Sequence, residues 1–279
     1  MYVAAILTAQ TMPARSAVTV EDLTAHFFRV AVEGDRVGGA VGVFKWAGTI
    51  PVVVIGDAPQ PAVDQLDSLL AELESLSGLR FTAAALSPQF AAISDSRPRF
   101  VILRGNADQI RWVLREDGGV REVSATLREI PGVPLHARLV IAFMRRADAI
   151  AGAWDEGLKE IAVELRNSHV HCVFSLKAEV SFAVVASAII IPTDEHDWVI
   201  RHCVNEEVTQ TLGLISDVPG SPITLFNANY DPNQTELTKY DRLLLKVLYN
   251  DAIRARDSGD ELRTKVRKLI EEEMINLQR

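Results

Sequence analysis

Chemistry in this chain concentrates in one stretch, Cys203-Val204-Asn205-Glu206-Glu207-Val208-Thr209-Gln210-Thr211-Leu212-Gly213, followed by Ser216 and Asp217. Read at helical period, Glu206 and Gln210 stand one turn apart, the i, i+4 spacing at which two side chains converge on one ion or on each other. Glu207 is the candidate general base, since a carboxylate in a half-buried cleft is shifted toward the range useful for proton transfer. Its better partner is Asp217, because consecutive helical residues diverge by about 100°, which makes Glu206 and Glu207 a weak dyad. His202, one turn before Glu206, could join Glu206 and a histidine from a preceding strand, His169 or His171, in a transition-metal site. A simpler reading pairs Glu206 and Gln210 with each other or with the following loop, puts His169 and His171 on a polar strand face, and leaves His196 exposed.

A zinc hydrolase needs three protein ligands and an open position for water. A carboxamide oxygen is a poor zinc ligand beside imidazole, so Gln210 does not replace a histidine, although Glu206 and Asp217 suit a harder cation. No zinc and no other cofactor is expected. The two cysteines, Cys172 and Cys203, are too few for a scaffold of bridges and stand either as buried thiols or as a single bridge.

These residues need a framework, and 279 residues at 48% hydrophobic content are enough to bury a large core without metal support. The net charge of -8 excludes a broad phosphate-binding surface, so nucleic acid is not an expected partner. No run reaches the roughly 18 to 20 apolar residues of a membrane span. The most apolar segment, 182–192, has the length of a buried strand. Residues 1–17 carry one short apolar stretch without a basic lead, so no export signal is evident in them.

Apolar residues cluster over 20–32, before the Gly-rich 34–42, and 50–55 is a β-branched run that reads as a buried strand. Val63, Leu66, Leu69, Leu70, Leu73 and Leu76 recur at helical spacing over 61–77, with Gly78 as the stop. Short strands are expected over 80–84, 99–103 and 139–144, with a polar insertion around 116–121. A helix over 154–165 and strands over 170–174 and 183–191 follow; Asp194 then offers an N-cap to a helix over 195–212 closed by Gly213. Thr238 to Asp241 resembles a capping box opening a helix through Leu248 and Tyr249. The last helix, 260–277, is charged, and its Leu262, Val266, Leu269, Ile270 and Ile275 could pack on the chain itself or on a neighbour. One domain over 1–279 is expected, with a sheet-containing lobe at about 18–192 and a helical lobe at about 193–279.

The central stretch resembles the zincin motif HExxH with its histidines replaced. On that frame Glu206 and Gln210 take the two histidine positions, Glu207 the general base and Gly213 the turn of the metzincin branch. Ser216 falls where the third ligand belongs, and Asp217 lies just beyond it. Downstream, Leu225 or Phe226 stands for the methionine of the metzincin turn, and Leu237 to Asp241 with Leu248-Tyr249 matches the helix after it. The chain is more closely similar to a bacterial family of unknown function, often labelled lipoproteins, with the signature Cys-x-x-Glu-Glu-x-x-Gln-x-Leu-Gly-Leu. Cys203, Glu206, Glu207, Gln210, Leu212, Gly213 and Leu214 match it, and Lys45-Trp46 and Ser77-Gly78 match its front half.

This resemblance implies an α/β (α+β), zincin-like fold: a mixed twisted sheet, a central helix of active-site type and C-terminal helices. It also implies a periplasmic or envelope location and a bridge between Cys172 and Cys203. With its ligands replaced, it implies a non-catalytic pseudo-metallopeptidase whose former substrate cleft binds a peptide or protein partner. The alternative is a divergent hydrolase using Glu207 as base with an atypical metal or none.

Overall fold

The computed structural model describes residues 18–33, 41–84, 100–104, 110–116, 119–125, 137–151, 158, 161–227 and 232–277. The tail 1–17 lies outside these residues, as do 152–157, 159 and 160, which cover half of the helix expected over 154–165. Strands β1 (Thr49–Gly56), β2 (Arg80–Ala83), β3 (Val101–Arg104), β4 (Ile110–Glu116), β5 (Gly119–Ala125), β6 (Leu139–Met144), β7 (Val173–Ala178) and β8 (Val184–Pro192) form one sheet. The helices are α1 (Val20–Ala31), α2 (Gln60–Ser77), α3 (Arg146–Ala151), α4 (Asp197–Gln210), α5 (Lys239–Tyr249) and α6 (Gly259–Leu277).

The sheet runs β5-β4-β3-β1-β6-β8-β7. Its middle is parallel, β3-β1-β6-β8, and antiparallel strands finish both sides. β2 and β3 share one edge of β1 in succession, β2 pairing with Thr49 to Val52 and β3 with Val53 to Ile55. Glu116 and 119–121 lie in paired antiparallel strands rather than in an insertion, with Ile110 paired to Ala125 and Glu116 to Gly119. Ile110, Trp112 and Leu114, set off by Arg111 and Arg115, are the strand signal in β4, while β5 carries no strict alternation.

Strand period divides the core into two. Ile50, Val52 and Val54 of β1, Leu139, Ile141 and Phe143 of β6, and Ile189 and Ile191 of β8 face a large helical layer holding α1, α2, α4, α5 and α6. Val53, Ile55, Ala142, Met144 and Ile190 face the opposite side, where Ala149, Leu158, Ala162 and Leu165 cover them. Helices from both ends of the chain share the larger core. In α6, Leu262, Val266 and Ile270 are buried against the chain itself, while Ile275 is exposed.

Helix α4 begins two residues later than its sequence suggests, with His196 as N-cap residue. Asp194 is spent elsewhere: its Oδ1 accepts from the backbone N–H of Arg146 at 2.8 Å, at the start of α3. Glu195 takes the Arg146 guanidinium at 2.5 Å and lies 3.2 Å from His171 Nδ1. His169 and His171 precede β7 rather than alternate along it. Asn167 turns the chain there, its side chain accepting from His169 N–H and its carbonyl from Val170 N–H, both at 3.0 Å.

The C-terminal turn of α4 is held from outside the helix. Trp46 Nε1–H donates to the Thr211 carbonyl at 2.7 Å, and the Tyr249 hydroxyl donates to that of Leu212 at 2.9 Å while accepting from Trp46 N–H at 3.3 Å. Carbonyls that a helix end leaves unpaired are thereby satisfied inside the protein. Gly213 lets the segment through Phe44 and Trp46 lie against the turn: its φ is +113°, and a Cβ there would stand 2.2 Å from the Phe44 carbonyl oxygen. Gly213→Ala is therefore expected to cost about 2–4 kcal/mol of stability, read as a lowered urea midpoint.

Candidate functional site

Helix α4 is buried nearly all round, from Val199 to Gln210 with Arg201 as the exception. That is unusual for a segment carrying Asn205, Glu206, Glu207, Thr209 and Gln210, since a buried polar group costs free energy unless it is partnered. Glu206 Oε2 lies 3.1 Å from His202 Nε2. Gln210 Nε2–H donates to Asp217 Oδ1 at 2.6 Å. Asn205 donates to the Thr235 carbonyl at 2.6 Å, and His202 Nδ1 lies 3.1 Å from the Gln234 carbonyl. Gln234 in turn donates to the Thr224 carbonyl at 2.6 Å, so 234–236 straps the helix to the loop before α5.

The same loop is pinned by Asp241. Its carboxylate accepts from Thr238 N–H at 2.8 Å in the capping box of α5, from Leu225 N–H at 3.0 Å and from Thr224 Oγ1–H at 2.5 Å. Burial pushes the Asp241 carboxyl above its ordinary range while these donors pull it back. Leu225 and Phe226 are fully buried beneath the loop.

The proton inventory at His202 follows from its neighbours. A carbonyl only accepts, so Nδ1 carries a hydrogen toward Gln234. The contact between Nε2 and Glu206 Oε2 is then attractive only when one further proton is shared between them, as imidazolium with carboxylate or imidazole with carboxylic acid. Burial pulls the imidazole below its ordinary value, opposed by the Gln234 carbonyl and the charge of Asp217.

Cys172, just before β7, is bonded to Cys203 on α4, with a Cα–Cα distance of 6.0 Å. The bond fastens the outer strand of the sheet to the buried helix. It also places Cys172 Sγ beside the acidic pair: one oxygen each of Glu206 and Glu207 and this sulfur all lie within 4.8 Å of one another. The adjacent glutamates approach more closely than their angular separation on the helix suggests. Asp217 instead turns to Gln210, and Ser216 is held through its backbone N–H on the Val30 carbonyl at 3.1 Å. His202 and Glu206 do meet, but among the described residues no strand histidine joins them: His171 faces Glu195, and His169 and His196 are exposed.

Gln234, Trp46 and Tyr249 are the contributors that the residue types of α4 did not reveal. Lys45-Trp46 and Leu248-Tyr249 were visible as pieces of a family pattern, without the shared task of closing the α4 turn. Nothing local marks Gln234, because its role is set by a backbone carbonyl.

Fold and site together define a mixed α/β protein built around a buried polar helix whose acidic pair lies against a disulfide. The chain belongs to the family of proteins of unknown function DUF2927, whose model matches residues 20–268. No curated protein and no solved structure matches the chain. No helix among the described residues is long and apolar enough to cross a membrane.

Two outcomes are expected. The bridge closes a loop with a sequence separation of 31, so Cys172→Ser with Cys203→Ser is expected to lower stability by about 3–4 kcal/mol in denaturant unfolding. The second concerns acid. His202 is held below 6.5, and His26, pulled down by burial and by Arg29, falls to about 4. The unfolded chain binds these protons first, so stability present above pH 6.5 is lost on acidification, with His26 contributing about 3 kcal/mol by pH 4. Asp241 acts in the opposite sense above 3.8. The His26 share is therefore read as the difference between wild type and His26→Gln in urea midpoints from about pH 7 to pH 4.

Proposed function

We propose that the protein is a non-catalytic, zincin-like scaffold of the cell envelope that binds an extended peptide or protein segment. One observation carries this reading. The side chains standing where a zincin frame needs zinc ligands are engaged inside the protein, Glu206 with His202 and Gln210 with Asp217. Glu206, Glu207 and Gln210 are only 4%, 3% and 1% exposed, so a substrate reaches them only if the surrounding loops move.

The binding role draws on β7. Among the described residues it pairs with β8 alone, and its start is anchored to α4 through Cys172. An anchored outer strand of this kind accepts an extended segment by strand addition, with backbone hydrogen bonds giving affinity and side-chain pockets giving choice. A bonded cysteine pair suits an oxidising compartment such as the envelope. The alternative, a divergent hydrolase with Glu207 as base, draws on the approach of the two carboxylates within 4.8 Å. Their burial weighs against it.

Purified, oxidised protein is expected to hold less than stoichiometric zinc and to leave a peptide mixture uncut, with Glu207→Gln changing neither result. Stoichiometric zinc with cleavage abolished by Glu207→Gln would overturn the non-catalytic reading. The zincin frame has its own test: Glu206→His combined with Gln210→His restores the ligand spacing and is expected to confer zinc binding. A folded double variant that takes up no zinc would remove the frame.

A further inference from the structure

The corner where β7 meets α4 brings together a sulfur and two carboxylates, all buried, on a backbone that the sheet and the helical layer hold in place. Cys172 Sγ and one oxygen each of Glu206 and Glu207 lie within 4.8 Å of one another. In the bonded state the sulfur has no charge to offer a cation, because its valence is spent on Cys203. We propose that reduction of the Cys172–Cys203 bond turns this corner into a binding site for a borderline-soft divalent cation of the zinc class, with Cys172, Glu206 and Glu207 as ligands.

The electron balance is simple. A dithiol gives two electrons and two protons to the bridge and becomes a disulfide, leaving thiols at Cys172 and Cys203. Cation binding then displaces the Cys172 proton, while Cys203 keeps its own. Zinc–sulfur and zinc–oxygen bonds of about 2.3 and 2.0–2.2 Å set neighbouring ligand atoms about 3.3–3.8 Å apart, so the three atoms need to draw in by about 1 Å.

Charge favours the occupied state. One thiolate and two carboxylates bring three negative charges; the cation brings two positive ones. The cation thus offsets most of the charge of its ligands, and His202 Nε2 stands 3.1 Å from Glu206 Oε2. His202, itself oriented by the Gln234 carbonyl, thus holds one ligand in place in the manner of a metal ligand's outer partner. A site of three protein ligands leaves a fourth position open to water. This inference stands apart from the peptide-binding reading, which concerns the bonded form.

The test uses the full chain, reduced anaerobically with a dithiol, desalted and titrated with Co2+ as a spectroscopic substitute for Zn2+. Reduced protein is expected to bind one equivalent with sulfur-to-cobalt charge-transfer absorption, and oxidised protein none. Cys203→Ser frees Cys172 without reductant and is expected to bind as the reduced chain does. In that background Glu206→Gln or Glu207→Gln removes binding, and His202→Ala weakens it roughly 10- to 100-fold. Absence of Co2+ binding by reduced protein that keeps its circular dichroism overturns the proposal, whatever the folding of Cys203→Ser. So does unchanged affinity in a folded chain carrying both Glu206→Gln and Glu207→Gln.

Discussion

A helix buried on nearly every side, with Asn205, Glu206, Glu207, Thr209 and Gln210 along it, persists only if its polar groups find partners away from water. Much of the surrounding architecture answers that demand. The 234–236 strap meets His202 and Asn205, Asp217 meets Gln210, and the Trp46 indole and Tyr249 phenol close the carbonyls at the helix end. The apolar contribution comes from the other faces of the same helix, where Val199, Cys203, Val204 and Val208 enter the larger core. A helix of this composition has little amphipathic drive of its own, so its place is set by what surrounds it.

The surroundings are themselves anchored in layers. Parallel strands β1, β6 and β8, covered on both faces, supply a rigid base. The disulfide connects the outer strand β7 to α4, and Asp241 holds the loop through Thr224 and Leu225 against the start of α5. Lys45 adds a further tie, its ammonium donating to the Ile253 carbonyl at 2.7 Å, and burial lowers its affinity for the proton. These connections join residues from both ends of the chain, which is why α4 sits at the centre of one framework.

The acidic pair gains its character from this setting. On an exposed helix Glu206 and Glu207 would be solvated, with only Cys203 of their own helix supplying a nearby sulfur. Here the bridge brings Cys172 to them, and His202 Nε2 lies 3.1 Å from Glu206 Oε2. A buried ionic cluster of this kind contributes little net stability, because desolvation offsets most of the attraction. Its value lies in specificity of arrangement and in the chemistry it keeps ready.

The sequence by itself determined the local elements whose signals are short-range. The β-branched run became β1, the leucine period became α2 with Gly78 beyond it, and Thr238 with Asp241 became a capping box. Such features depend on neighbours within one or two turns, and so they can be read along the chain. The start of α4 was misplaced because Asp194 and Glu195 are claimed by Arg146, a partner 48 and 49 positions away. Gln210 meets Asp217 in the following loop, one of the pairings its position allowed, but only the tertiary structure decided that the two glutamates converge on Cys172 and that a tryptophan 165 residues distant closes the helix. Those outcomes depend on which surfaces the sheet brings together, and side-chain pairing across such separations leaves no periodic trace in a single sequence.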